Sequence, residues 1–141
     1  MNDRVMRVEE NLRHVCYKVK MKGREMLNEY GITPPQFDAL LVLRRNQDMS
    51  ISDLSQKLFL ASSTLTDLLD RMERNELILR KKDVKDRRCI RVNIAPRGLE
   101  IIQMVMKTRQ EYIQSLLDPM MESEIENLDR SMILLNEKVK L

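Results

Sequence analysis

Between Ser62 and Ile94 the sequence changes its period, and that change limits the folds open to the chain more than any other feature. In SSTLTDLLDRMERN, Ser62 to Asn75, the apolar residues Leu65, Leu68, Leu69 and Met72 recur every three or four positions, the spacing of one face of an α-helix. Two short runs with β-branched residues follow, ILRKK (Ile78 to Lys82) and CIRVNI (Cys89 to Ile94). Between them lies DVKDRR, Asp83 to Arg88, with two acids among three bases. Such runs around a charged turn predict a β-hairpin. A helix that feeds directly into a basic hairpin leaves few architectures available.

The remaining segments predict helices. Val5, Val8, Leu12, Val15 and Val19 step by three and four, the seam of a helix made to pack on another helix, and Gly31 closes it. Thr33-Pro34-Pro35-Gln36 reads as an N-cap, a proline at the first helical position and a capping glutamine three residues on. That second helix turns Phe37, Leu40, Leu41 and Leu43 inward and ends near Asn46 to Met49. Ser50 caps a short third helix, with Asp53 at the capping-box position, that buries Ile51, Leu54 and Leu58. A tight turn at Phe59 and Leu60 leads into the helix from Ser62. Pro96 starts another helix, with its seam at Leu99, Ile102, Met106, Ile113 and Leu117, and a last one carries Ile125, Leu128, Met132, Leu135 and Val139. At 141 residues without a linker or low-complexity stretch, the chain is expected to be one domain.

Charge narrows the function. The formal net charge is only +3, yet Arg71 to Arg91 holds nine bases against four acids, a local +5 that leaves −2 for everything else. A basic segment in an otherwise near-neutral chain marks a place where a polyanion is held. Enzyme chemistry finds no support: there is no Ser/His/Asp set, no phosphate-cradling glycine loop and no carboxylate pair in a plausible pocket, so no catalytic residue and no cofactor are expected. Two cysteines, Cys16 and Cys89, and one histidine, His14, give no metal-ligand spacing, and no metal is expected. A charged N-terminus and the lack of an apolar run of about 20 residues predict a cytoplasmic protein without a leader or a membrane partner.

A short helix, tight turn and longer helix followed by a basic hairpin form a winged helix-turn-helix. Double-stranded DNA is the expected partner. A helix fits the major groove, where Ser62, Ser63, Thr64, Thr66, Asp67 and Arg71 can reach base edges or phosphates. The hairpin tip, with Lys85, Asp86, Arg87 and Arg88, can reach the adjacent minor groove, whose negative potential attracts arginine. The two acids have a part in this: Asp86 can pair with a neighbouring guanidinium and set its direction, and Asp83 can tie down the turn backbone.

STLTDLLDRMERNELILRKKDVKDRRCIRVNIAPRGLEI resembles the recognition helix and wing of the MarR family (multiple antibiotic resistance regulator), whose signature is Asp-x-Arg-Asp-x-Arg followed by Leu-Thr-x-x-Gly. Asp83, Asp86, Arg88 and Gly98 fall on it. Lys85 replaces the first arginine and loses its bidentate geometry, which moves the minor-groove role toward Arg87 and Arg88. Ile94 and Ala95 stand at the Leu-Thr pair, removing a cap of about 1 kcal/mol. Glu76 stands where the family has glycine, so either Asn75 takes the left-handed position or Glu76 bears about 1 kcal/mol of strain.

The resemblance implies a mainly α fold with a small β-hairpin wing: a winged helix-turn-helix lobe at about 34–95 within a single domain of residues 1–141, and dimerisation helices at about 1–30 and 97–141. It implies a homodimer with interlocked terminal helices over a pseudo-palindromic operator, acting as a sequence-specific repressor released by a small lipophilic or phenolic ligand. One branch of the family senses peroxide with a cysteine on the first helix, which makes a thiol sensor at Cys16 the alternative. Cys16 beside the Val15/Val19 seam reads better as buried packing. An alternative of another class, a helical interaction module without DNA, accounts for the seams but not for the basic hairpin.

Overall fold

The computed structural model describes residues 2–140 and falls into two compact units, one ending at Met106 and one beginning at Lys107. The chain order is α1 (Asp3–Glu29), α2 (Pro34–Arg45), β1 (Met49–Ser50), α3 (Ile51–Leu58), α4 (Ser62–Arg74), β2 (Ile78–Lys82), β3 (Ile90–Ile94), α5 (Pro96–Leu117) and α6 (Glu122–Lys138). The mainly helical fold with a small sheet is as the sequence implies. Among the described residues, no helix is long and apolar enough to cross a membrane, and no group of three His, Cys, Asp or Glu could hold a metal ion.

Local chemistry sets the helix ends of the first unit. Thr33 Oγ1 accepts from Gln36 N–H while Gln36 Oε1 accepts from Thr33 N–H, the capping box read in the sequence. Ser50 Oγ accepts the Asp53 N–H at 3.1 Å and starts α3. Gly31 leaves α1 at φ +68°. The seam of α4 meets α2, α3 and both wing strands in one core, where Leu40, Leu54, Leu65, Leu69, Met72, Ile78 and Val92 are fully buried. Ile51 and Leu58 pack only half-buried against it, and so does Leu41. The hairpin pairs Ile78 with Ile94 through Lys82 with Ile90, and β1 adds a third antiparallel strand that pairs Met49 with Val92, in the order β1-β3-β2.

Two positions depart from the sequence expectations. Residues 49 and 50 form a strand before α3, where the sequence suggested only a helix end and a cap. Cys16 is exposed, on a face of α1 where Val5, Val8, Leu12, Val15 and Val19 are exposed too, so its expected burial is not found. The choice left open after α4 resolves to Glu76, which takes φ 60° while Asn75 stays at φ −88°. In the second unit α6 buries none of its residues, and Glu124 Oε1 accepts the Met121 N–H at 3.4 Å at its start.

Candidate nucleic-acid interface

The outer face of α4 is left polar because its apolar seam goes into the core, with Leu68 half-buried against it. Leu65, Leu69 and Met72 point inward, so Ser62, Ser63, Thr64, Thr66, Asp67 and Arg71 are all left exposed. Thr66 Oγ1 donates to the Ser62 carbonyl at 2.8 Å, so its hydrogen is committed within the helix and only its lone pairs face outward. Ala61 at the N-cap provides no side-chain acceptor, which leaves the first N–H groups of α4 to water or an incoming anion. On the Arg71 flank lies a cleft of about 280 Å³ lined by Gln36, Arg71, Arg74 and Asn75.

Through Asp70 and Glu73, α4 is joined to the wing. Arg80 of β2 places Nη2 at 2.7 Å from Asp70 Oδ1 and 3.0 Å from Glu73 Oε1. Its Nε and its backbone N–H both donate to Glu73 Oε2. The Arg80 guanidinium bond holds the Glu73 carboxyl below the usual carboxylate range, against a smaller opposing effect of burial. The sequence reading counted Arg80 only as one more base; the structure makes it a brace between recognition helix and strand. A pair seven and ten residues apart across a helix, turn and strand has no periodic signature, so only the fold brings it together.

In the wing tip both acids bond to neighbouring N–H groups and guanidinium groups. Asp83 Oδ1 accepts the Lys85 N–H at 2.8 Å, and its Oδ2 accepts Arg91 Nε at 2.9 Å. These bonds, the Lys85 N–H foremost, lower the Asp83 carboxyl pKa. Asp86 Oδ1 accepts both the backbone N–H of Arg88, at 3.0 Å, and its Nε, at 3.2 Å. Arg88 is thereby directed while its side chain stays 92% exposed. Lys85 and Arg87 are exposed beside it. At the base of the wing, Arg91 Nη1 donates to the Asp48 carbonyl, and the Asp48 and Asn93 side chains join β1 to β3. Asp48 and Asn93 escaped the sequence reading because a two-residue strand carries no alternation to detect.

Gly98 sits where this assembly meets α5. A Cβ there would press into the Leu77 carbonyl oxygen and come within 2.8 Å of Ile94 Cγ1, which accounts for glycine at a position matching the signature. Ala95, without a hydroxyl to cap α5, is buried and donates its N–H to that same Leu77 oxygen.

Two comparisons identify the family to which this winged lobe belongs. A model of the MarR family matches residues 32–90, and the solved structure of a MarR family protein from Bacillus stearothermophilus is 39% identical, with 98% of this chain and 97% of that one covered at a TM-score of 0.81. The chain belongs to the MarR family. The HTH-type transcriptional regulator YsmB of Bacillus subtilis is 45% identical over 138 residues, 98% of this chain and 94% of the relative. A MepR mutant of S. aureus bound to an oligodeoxyribonucleotide shares the fold, with a TM-score of 0.78 at 22% identity over 94% of this chain and 98% of that one. As a MarR family member, the protein is a winged helix-turn-helix, DNA-binding transcription regulator.

Proposed function

We propose that the protein works as a homodimeric repressor, setting two winged lobes over a pseudo-palindromic operator and letting go when a small lipophilic or phenolic ligand binds. The uncovered stripe of α1 carries this reading. Val5, Val8, Leu12, Val15 and Val19 lie exposed along one face, and a contiguous apolar face of that length marks an interaction surface. A second copy is the partner suited to a two-fold DNA site. The ligand is supported by a hollow of about 320 Å³ lined by half-buried Leu41, Val42 and Met106 and by exposed Arg44, Arg45 and Lys57. That lining suits a small apolar body with an anionic edge. In the DNA-bound state, Ser62, Ser63, Thr64, Thr66, Asp67 and Arg71 read the major groove, and Lys85, Arg87 and Arg88 meet the minor groove under the direction of Asp86.

The test is affinity for an operator selected from a random DNA pool, measured across a salt series with mass read by light scattering. The expected particle is a dimer. Arg88→Ala should weaken binding to many sequences alike and lower the salt slope by about 1, while Ser63→Ala should change the preferred bases. Asp86→Ala should weaken binding even though it raises the net charge by one. Tighter binding by the Asp86 variant at every salt concentration would show that Asp86 only repels DNA.

A further inference from the structure

Two large apolar side chains stand out from the others that lie exposed among the described residues: Val84 at 97% and Phe59 at 95%, where the next, Tyr17, reaches 65%. Val84 occupies the wing tip. Phe59 occupies the turn of the helix-turn-helix, three residues before α4 begins. It ends α3 in the left-handed region, at φ 53° and ψ 40°, with its N–H donating to Gln56 O and Ser55 O. Ser55 Oγ bonds the carbonyl of the next residue, Leu60, and holds the turn in this shape.

Phe59 therefore carries two costs without any return among the described residues. A β-carbon in the left-handed region is strained relative to glycine, and an exposed phenyl ring forgoes the burial that normally rewards an aromatic side chain. Glycine would serve the turn better, with nothing apolar left in water. Strain and exposure at one residue point outward, to something the side chain meets beyond its own fold. The position says what that is. Phe59 lies at the N-terminal end of the recognition helix, the end that enters the major groove in a helix-turn-helix, beside the exposed Ser62 and Ser63. An apolar ring there faces the one apolar feature of the groove floor, the C5-methyl group of thymine.

We propose that Phe59 is a specificity-determining residue that packs its ring on a thymine methyl at the edge of the major-groove site. This inference rests on the DNA-reading assignment of α4. The contact is uncharged, so it selects sequence without adding counterion release, unlike the arginines of the wing.

The experiment uses the full chain and a duplex selected from a random DNA pool, with each thymine replaced in turn by uracil, which removes only the methyl. One thymine in each half-site should prove sensitive, with about fourfold weaker binding, the value of one buried methyl. Phe59→Gly should raise the melting temperature, because the left-handed strain is relieved, and still bind about tenfold more weakly with an unchanged salt slope. In that variant the sensitive thymine should no longer matter, and Phe59→Leu should keep part of the effect. A Phe59→Gly protein that binds as tightly as the native one, or that keeps the same uracil sensitivity, overturns the proposal while leaving the reading helix in place. A native protein that selects no sequence from the pool overturns the DNA-reading assignment itself.

Discussion

Helix α1 and helix α2 carry apolar patterns of the same kind and meet opposite fates. In α2, Phe37, Leu40 and Leu43 vanish into a core shared with α3, α4 and the wing. In α1, only Gly23, Met26 and Leu27 near its end are buried, and the stripe from Val5 to Val19 stays in water. Periodicity identifies which face of a helix is apolar; it does not say whether the covering surface comes from the same chain. The core of the winged lobe also takes in Leu27 from the end of α1 and Ile101, Ile102 and Val105 from α5, whereas the stripe of α1 from Val5 to Val19 lies exposed and is the face that the proposed dimer would cover. If the proposed dimer forms, that difference separates a module held by a core of its own from a segment whose stability depends on association.

The sharpest way to break the comparison is to charge the stripe. Leu12→Asp combined with Val15→Asp should convert a dimer into a monomer and weaken operator binding by a factor of about a hundred or more, since two lobes no longer share one site. The wing and its core should keep their circular dichroism. Retention of both dimer mass and affinity would mean that the stripe is covered by something other than its twin. Next in size is Leu69→Ala within the lobe, expected to cost about 2–5 kcal/mol of stability in denaturant titration, because the fully buried side chain leaves a cavity. A loss below about 1 kcal/mol would show that the lobe is not the closed core described above.

Smaller effects sharpen the contrast. Glu76 holds φ 60°, a strain the lobe carries because the surrounding core fixes the chain there, so Glu76→Gly should stabilise by about 1 kcal/mol. The smallest is acidic. The Glu73 carboxyl is depressed below its ordinary 4.5 in the folded chain, so its contribution is complete above that value and is lost as the pH falls through the lower folded one. Wild type should lose stability in that window more steeply than Glu73→Gln. The difference should stay under about 1 kcal/mol, as expected for a pair whose carboxylate is 41% exposed. Identical acid limbs would mean that the brace to Arg80 contributes nothing.

Much of the lobe could be read from the residues alone. The hairpin strand Ile78 to Lys82, the Thr33/Gln36 box and the Ser50 cap follow from local chemistry, which acts over a few positions and leaves its mark in the sequence. That Asp86 pairs with a neighbouring guanidinium was legible for the same reason, and the structure makes that neighbour Arg88. Arg80 was not: its partners Asp70 and Glu73 face it only after a turn reverses the chain. Strand β1 was missed because two residues cannot show a period, and the strain at Phe59 because a left-handed backbone angle leaves no trace in a non-glycine residue. Cys16 failed differently. Its place beside an apolar seam predicts burial, but that face lies exposed among the described residues, and Cys16 with it.

The wing tip also bears on the thermodynamics of recognition. Asp83 and Asp86 each hold a backbone N–H two residues ahead, so the loop from 83 to 89 is tied down by its own side chains, and in the proposed complex it would meet DNA already shaped. The conformational entropy of that loop is surrendered during folding, and little is left to lose at the moment of contact. Freeing the tip would transfer that loss to the binding step. The enthalpy of association would change little, its entropy would become less favourable, and warming would weaken the complex more than it does with the tip tied down.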